Sequence, residues 1–437
     1  MTPNDFSRLQ ARDLLDFIDA SPSPWHAVAT IEKQLKAEGF IQLNEPESWQ
    51  LENGGRYYVI RDDSSIIMFT VGSDAPADAG FKIIGAHTDS PSLRVKPNAG
   101  QSDAQLLRVG VEVYGGAIIA TFADRDLSLA GRVSYREQGG DLVSKLICFE
   151  QALLRLPNLA IHMNREVNEK GLKLDKQTGL PLILATLSEE LPAQQQFTEL
   201  IAQQAGIDTD ALLSWELNIY DTQKGEFWGL DEEFIANSQL DNLASCHAGL
   251  QALLSTGTNA TKSTHVCAFF DHEEVGSESS KGADGSFLSD VLERINLATG
   301  HNKEEFCRAL SQSFMISADM AHAYQPSFAW AYEPEHRVNV NAGPVIKINA
   351  NQRYSSESIS EAMFIDWCQQ ADVPFQKYSH RSDIPCGSTI GPMTSARLGI
   401  RTVDVGNPMW AMHSIRESAG VADHGYIIKV FEQFFAD

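Results

Sequence analysis

Three short stretches combine residue types that could carry out hydrolytic chemistry. His87 and Asp89 form a His-x-Asp pair just after the apolar run 81–85. A histidine there can bind a metal through one ring nitrogen, while a neighbouring carboxylate orients the ring and raises its basicity. A turn with an aspartate cap is the simpler alternative. Asp241 and Asn242 open a helical pattern over 243–254, where an aspartate serves as N-cap as readily as it serves a metal. Asp271, His272, Glu273 and Glu274 follow the apolar run 264–270 and place four ionisable groups in a row. A bound dication would cancel their repulsion, leaving one carboxylate as ligand and its neighbour free to take a proton from water. A solvated charged turn is the other reading. Asp319 and His322 follow the run 314–317, and His413 comes after the run 401–405 and a Gly-Asn-Pro turn. The set is rich in oxygen and nitrogen and has no cysteine, which suits zinc, manganese and similar ions. Spacing alone does not select His413 over His380 or His424.

The elements that must position these groups are legible as patterns. Short, continuously apolar runs that alternate with helical periodicity indicate strands buried on both faces of an α/β sheet. Ligands in such sheets gather beyond the carboxyl ends of the strands, where these polar groups fall. Residues 96–234 behave differently. They carry period-two patterns at Val109, Val111 and Val113, at Trp215, Leu217 and Ile219, and over 132–135, with glycine-rich breaks and a polar stretch over 164–178 that reads as an exposed loop. They are expected to form a β-rich domain inserted between 1–95 and 235–437. No repeat at fixed period is present.

The chain has 437 residues, 34 Lys+Arg against 58 Asp+Glu, and a formal net charge of -24. That balance argues against a partner that is a nucleic acid, which needs a basic face. A hydrophobic content of 43% is enough for a folded core rather than an acidic disordered chain. No apolar stretch is long enough to span a membrane, and the N-terminal 20 residues read as an amphipathic helix, not a signal peptide. The six scattered cysteines read as free thiols of a cytoplasmic protein.

Taken together, SPSPWHAV, GAHTDSPSLRVKP, YGG, DRDLSLAGRV, LDNLASCHAGLQAL, EEVGSES, SADMAHAYQP, GPVIKIN, PCGSTIGP and MHSIRESAG occur in order along the chain. The sequence resembles the aspartyl aminopeptidases, co-catalytic zinc metallopeptidases, over essentially its whole length. The resemblance implies an α/β zinc-peptidase (phosphorylase/hydrolase-like) catalytic domain interrupted by a β-rich dimerisation domain. It implies two divalent ions per subunit, zinc foremost, with manganese or cobalt as alternatives. His87 and Asp319 are then ligands of one ion, Glu274 and His413 of the other, and Asp241 bridges both. Glu273 is implied as general base, with Asp89 behind His87. The family assembles as tetrahedral dodecamers, in which a histidine matching His162 reaches a neighbour's active site. Two positions depart from the family pattern, Phe122-Ala123 and Gln239, and neither is an implied ligand.

The activity implied is removal of N-terminal residues, acidic ones in particular, from peptides. Lys347 and His322 are the implied partners of a substrate carboxylate, although a lone lysine beside a strand reads on its own as a surface residue. A related two-metal carboxypeptidase or deacylase, or a self-assembling cargo protein with a relic metal site, would be the alternatives. Intact Glu273 and Glu274 disfavour the relic.

Overall fold

The computed structural model describes residues 3–188, 191–257 and 261–437. Its centre is a nine-stranded sheet in the order Ile41–Gln42, Arg56–Arg61, Ser65–Thr70, Thr264–Phe270, Phe81–His87, Phe314–Ala318, Arg401–Gly406, Val345–Ile348, Gln376–Ser379. The four strands from Thr264–Phe270 to Arg401–Gly406 run parallel, and they are the four runs that read as buried strands. Their continuous hydrophobicity follows from burial on both faces. Val266, Ala268 and Phe270 face one apolar cluster, while Cys267 and Phe269 face the other. The first cluster is closed by helices Phe287–Ala298, Lys303–Gln312 and Ile390–Leu398. The second is closed by helices Pro3–Asp19, Pro24–Ala37, Leu240–Ser255, Ser358–Gln370 and Val421–Ala436.

Between the strands Phe81–His87 and Thr264–Phe270 the chain leaves this sheet. Strands drawn from residues 92–221 build a six-stranded sheet in the order Leu142–Cys148, Leu127–Arg136, Leu212–Asp221, Ser92–Asp103, Leu106–Tyr114, Leu182–Thr186. All its pairings are antiparallel. Leu93, Val109, Val111, Val133, Leu217 and Ile219 cover one core, into which helix Ala193–Ala205 sets Phe197 and Ile201. The period-two patterns therefore report a sheet with one apolar face. Most of the 164–178 stretch has no regular structure and is exposed, apart from one helical turn, Val167–Lys170. Strands Glu226–Trp228 and Phe234–Asn237 join a third sheet with Glu417–Gly420, Pro408–Trp410 and Ala321–His322. That small sheet brings the segments around Asp241, His322 and His413 to the same end of the molecule. No helix among the described residues is long and apolar enough to cross a membrane.

The strand that leads to Glu273 and Glu274 begins beside a buried imidazole. His265 is fully enclosed and stacks on Phe435, with ring centroids 4.5 Å apart. Burial, with Lys82 adding its charge, lowers its pKa from 6.5 to about 3. Because the folded value lies below the unfolded one, the unfolded chain binds the extra proton first. Stability is thus unaffected above pH 6.5 and falls as the pH drops toward 3, by up to about 1.4 kcal/mol per pH unit. His265→Phe is expected to flatten the dependence of Tm on pH across this window; parallel profiles for variant and wild type would contradict it.

Candidate metal centre

His87 is the last residue of its parallel strand, and its ring is buried. Its Nδ1 lies 3.0 Å from the Asp89 carbonyl oxygen and 3.4 Å from Asp89 Oδ1. The ring thereby presents Nε2 to three carboxylates: Asp241 Oδ1 at 3.5 Å, Asp319 Oδ1 at 3.9 Å and Glu273 Oε2 at 4.0 Å. On the other side of Asp241, His413 Nε2 lies 3.4 Å from Asp241 Oδ2 and 3.5 Å from Glu274 Oε1. The Asp241 carboxylate therefore sits between two imidazoles, and the backbone of Asp241 and Asn242 departs from helical geometry at the start of helix Leu240–Ser255.

The acidic turn resolves into parts with different partners. Asp271 is paired with the buried Lys281 at 3.0 Å, and His272 Nδ1 lies 2.9 Å from Ser279 Oγ. Glu273 and Glu274 have no such cation. What holds them is their backbone: both amides donate to the Asp89 carboxylate, each at 3.1 Å. Tyr114, from the six-stranded sheet, donates its hydroxyl to Asp89 Oδ2 at 2.6 Å. Asp89 thus serves His87, both glutamates and the neighbouring sheet at once.

The titration of these groups reflects crowding. Burial, followed by the charges of Asp319, Asp89 and Asp241, pushes Glu273 up to about 8. Glu274 is raised well above its ordinary value, by burial and then Asp241. Burial works against a charged His87, but Glu273, Asp241, Asp319 and Asp89 together hold it well above its ordinary value. His413 likewise rises to about 9, because the Asp241 carboxylate outweighs burial. Protons here stand where cations belong.

The donor set fits divalent metal. His87, Asp241 and Asp319 offer one convergent group of ligand atoms, and Asp241, Glu274 and His413 another, each within 4.8 Å. Asp241 Oδ1 and Glu274 Oε1 are buried and have no hydrogen-bond partner, an arrangement that costs free energy unless an ion satisfies them. A third convergent group is made by His87, Glu273 and Glu274; the first two groups share Asp241.

They line a cavity of about 460 Å³ together with Glu273, His322, Lys347, Tyr354, Thr389 and Met393. Lys347, whose position beside a strand suggested a surface residue, is 2% exposed and donates to the Met320 carbonyl at 3.2 Å. Its ammonium lies 3.8 Å from Asp319 Oδ2. His322 is kept neutral, lowered to about 4 by burial and by the charges of Lys347 and His380. Sequence-expected His162 lies elsewhere, on an exposed turn, and does not line this cavity. Tyr114 and Glu417 went unread in the sequence: each acts by gripping a carboxylate or a backbone amide, which leaves no motif beyond YGG and MHSIRESAG.

An α/β sheet whose strand ends deliver such a ligand set defines a metal-dependent hydrolase. The sequence profile of the family described as Aminopeptidase I zinc metalloprotease (M18) matches residues 17–435. The chain belongs to this family of zinc aminopeptidases. A probable M18 family aminopeptidase 2 of Pseudomonas aeruginosa is 48% identical over 425 residues, 97% of each chain. A chain in the cryo-EM structure of the Ape4 and Nbr1 complex aligns with a TM-score of 0.95 at 38% identity, over 100% of this chain and 87% of that one. One from the S. cerevisiae mApe1 dodecamer aligns with a TM-score of 0.85 at 26% identity, over 97% and 96%.

The turn after Tyr114 is packed against the ligands. Gly115 has φ +69°, and a Cβ there would stand 3.0 Å from Glu274 Cβ; one on Gly116 would stand 3.2 Å from His413 Nδ1. Gly115→Ala adds backbone strain of about 1 kcal/mol and displaces Glu274. A drop in kcat/KM of about 10²-fold is expected for such a displacement, with Tm lowered by only a few degrees. Unchanged kcat/KM would show that the turn yields without disturbing the centre.

Proposed function

We propose that this aminopeptidase removes acidic N-terminal residues from peptides, using two divalent ions, zinc foremost, that share Asp241. The observation that carries the two-ion reading is the Asp241 carboxylate, whose two oxygens face different imidazoles, one in each ligand group. In this reading His87 and Asp319 hold one ion, and Glu274 and His413 the other. Dications bound there would lower the pKa of a water and polarise the scissile carbonyl. Glu273 accepts the proton of the attacking water and returns it to the departing amine. Asp89 keeps the His87 ring and the Glu273 backbone in place while this happens. Ionised Glu273 requires that its pKa fall from about 8, and neighbouring dications supply that pull.

The acidic preference is supported by the surroundings of Lys347. A buried ammonium at a cavity wall, close to only one carboxylate, has spare capacity for a second. His322, beside it in the same wall, offers a neutral ring that can donate one hydrogen bond.

Residues 96–234 are proposed as an inserted domain within a catalytic domain made from 1–95 and 235–437, with the six-stranded sheet as its frame and dimerisation as its role. A homo-oligomer, the tetrahedral dodecamer in particular, is supported by the dodecameric mApe1 of S. cerevisiae. The turn around His162 suits a subunit contact, because Leu159, Ile161 and Met163 are all exposed. In such an assembly His162 would approach a neighbour's site. A cytoplasmic location accords with six free cysteines.

Two outcomes test the reading. Glu273→Ala is expected to retain two metals per chain while kcat falls by at least about 10²-fold; wild-type turnover would remove Glu273 from the mechanism. Among Asp-, Glu-, Leu- and Ala-derived chromogenic substrates, the acidic pair should lead in kcat/KM. Lys347→Met should cut the Asp substrate by about 10²-fold, the loss expected when a buried charge pair is broken, and leave the Leu substrate largely unchanged. A preference for Leu in the wild type would overturn the acidic pocket and leave the peptidase assignment standing.

A further inference from the structure

Glu417 takes no part in the chemistry above, yet its carboxylate is the most enclosed acid behind the second ligand group. It opens the Glu417–Gly420 strand of the small sheet and is 2% exposed. Oε2 accepts the backbone amide of Asp241 at 3.0 Å, and Oε1 accepts the backbone amide of His413 at 2.7 Å. The side chains of those same residues meet at 3.4 Å. A closed ring results, in which one carboxylate grips two main chains whose side chains converge. His413 also has φ +68°, a left-handed conformation that a non-glycine residue keeps only when its surroundings impose it. The bond from its amide to Glu417 is one such constraint.

The same device stands on the opposite side. Asp89 accepts the amides of Glu273 and Glu274 while its backbone and carboxylate face His87. Each half of the centre thus rests on one buried acid with two main-chain amides, and no ligand atom is spent on holding the frame.

We propose that Glu417 is a positioning residue that holds Asp241 and His413 in register for one of the two ions, so that the affinity for that ion depends on it more than the fold does. The inference rests on the two-ion reading. A purely structural anchor would predict the reverse, a large loss of stability with both ions affected alike.

The test compares zinc binding by wild type, Glu417→Gln and Glu417→Asp, measured as metal content after dialysis and by competition with a chromogenic chelator. Thermal unfolding of the metal-free proteins is followed in parallel. Gln keeps the shape and one acceptor but turns an NH2 group toward a backbone N–H. The expected result is the ion held by Glu274 and His413 weakened by about 10- to 100-fold, the range for loss of a group that orients metal ligands, and the other, which shares Asp241 but keeps His87 and Asp319, weakened distinctly less. The metal-free Tm should stay within a few degrees of wild type. Asp keeps both acceptors and is expected to recover part of the lost affinity. Should Gln fail to fold, the Asp variant decides: selective weakening of one ion supports the proposal, whereas equal weakening of both or wild-type affinity for both overturns it. Two tightly held ions in Glu417→Gln would also overturn it. Fewer than two ions in the wild type would instead sink the two-ion reading itself.

Discussion

Crowding of negative charge in a buried space governs this molecule. Asp89, Asp241, Glu273, Glu274, Asp319 and Glu417 converge at one end of the central sheet, and among the described residues Lys347 is the one lysine or arginine lining the cavity that Asp241, Glu273, Glu274 and Asp319 share. Two unit charges 4 Å apart at an effective dielectric near 20 repel by about 4 kcal/mol, and several such pairs occur here. The protein answers in two ways. Asp89, against burial, is held below its ordinary value by His87, Tyr114 and the Glu274 amide, whereas Glu417 accepts two amides and is still pushed up to about 8 by burial and then the Asp241 charge. For the other four, the raised values of Glu273 and Glu274 and the protonated imidazoles between them mark charge that main chain does not balance.

That arrangement needs a rigid frame, because like charges move apart if allowed to. Parallel strands packed on both faces supply it: His87 ends one, Asp319 follows another, and Glu273 and Glu274 follow a third that lies between Phe81–His87 and Ser65–Thr70. The second half of the centre hangs on a different sheet, through Glu417 and the segment before it. The two halves are tied by the Tyr114-Gly115-Gly116 turn, which reaches Asp89 through a hydroxyl, abuts Glu274, and accepts His413 Nδ1 at 3.3 Å from the Gly116 carbonyl. The Ile118 amide adds a bond to the His413 carbonyl at 2.9 Å. Any displacement of the six-stranded sheet is therefore felt by ligands of both groups, a mechanical link between a proposed subunit interface and the chemistry.

Much of this was legible in the sequence, for identifiable reasons. A strand such as Thr264–Phe270 announces itself because burial on both faces demands a run of apolar or small residues, broken here only by the enclosed His265, and the change to Asp271 marks where the sheet stops. Period-two runs such as Val109, Val111 and Val113 disclosed a sheet with one apolar face. Less legible was the partition of the acidic turn: nothing in Asp271-His272-Glu273-Glu274 tells that the first acid belongs to Lys281, ten residues on, whereas the last two line the cavity. Lys347 was misleading in isolation, since its enclosure depends on Met320 and Tyr354 from other elements. Glu417 was unreadable, because its work is done on amides, and every residue has one.

The formal charge of -24 raises a further constraint that the local geometry answers. At a Debye length near 8 Å in physiological salt, most of the surface acids act on an approaching peptide only weakly. Inside the cavity, screening is poor, and the sign is set by the few groups that line it. That lining crowds four acids, Asp241, Glu273, Glu274 and Asp319, against His87, His413 and Lys347. In the proposed reading two dications would add positive charge near the scissile bond, while Lys347 would keep a positive end in the cavity wall, beside neutral His322. In that reading, recognition of an acidic side chain and occupancy by metal would be coupled through a shared field, even though no atom of Lys347 needs to touch an ion.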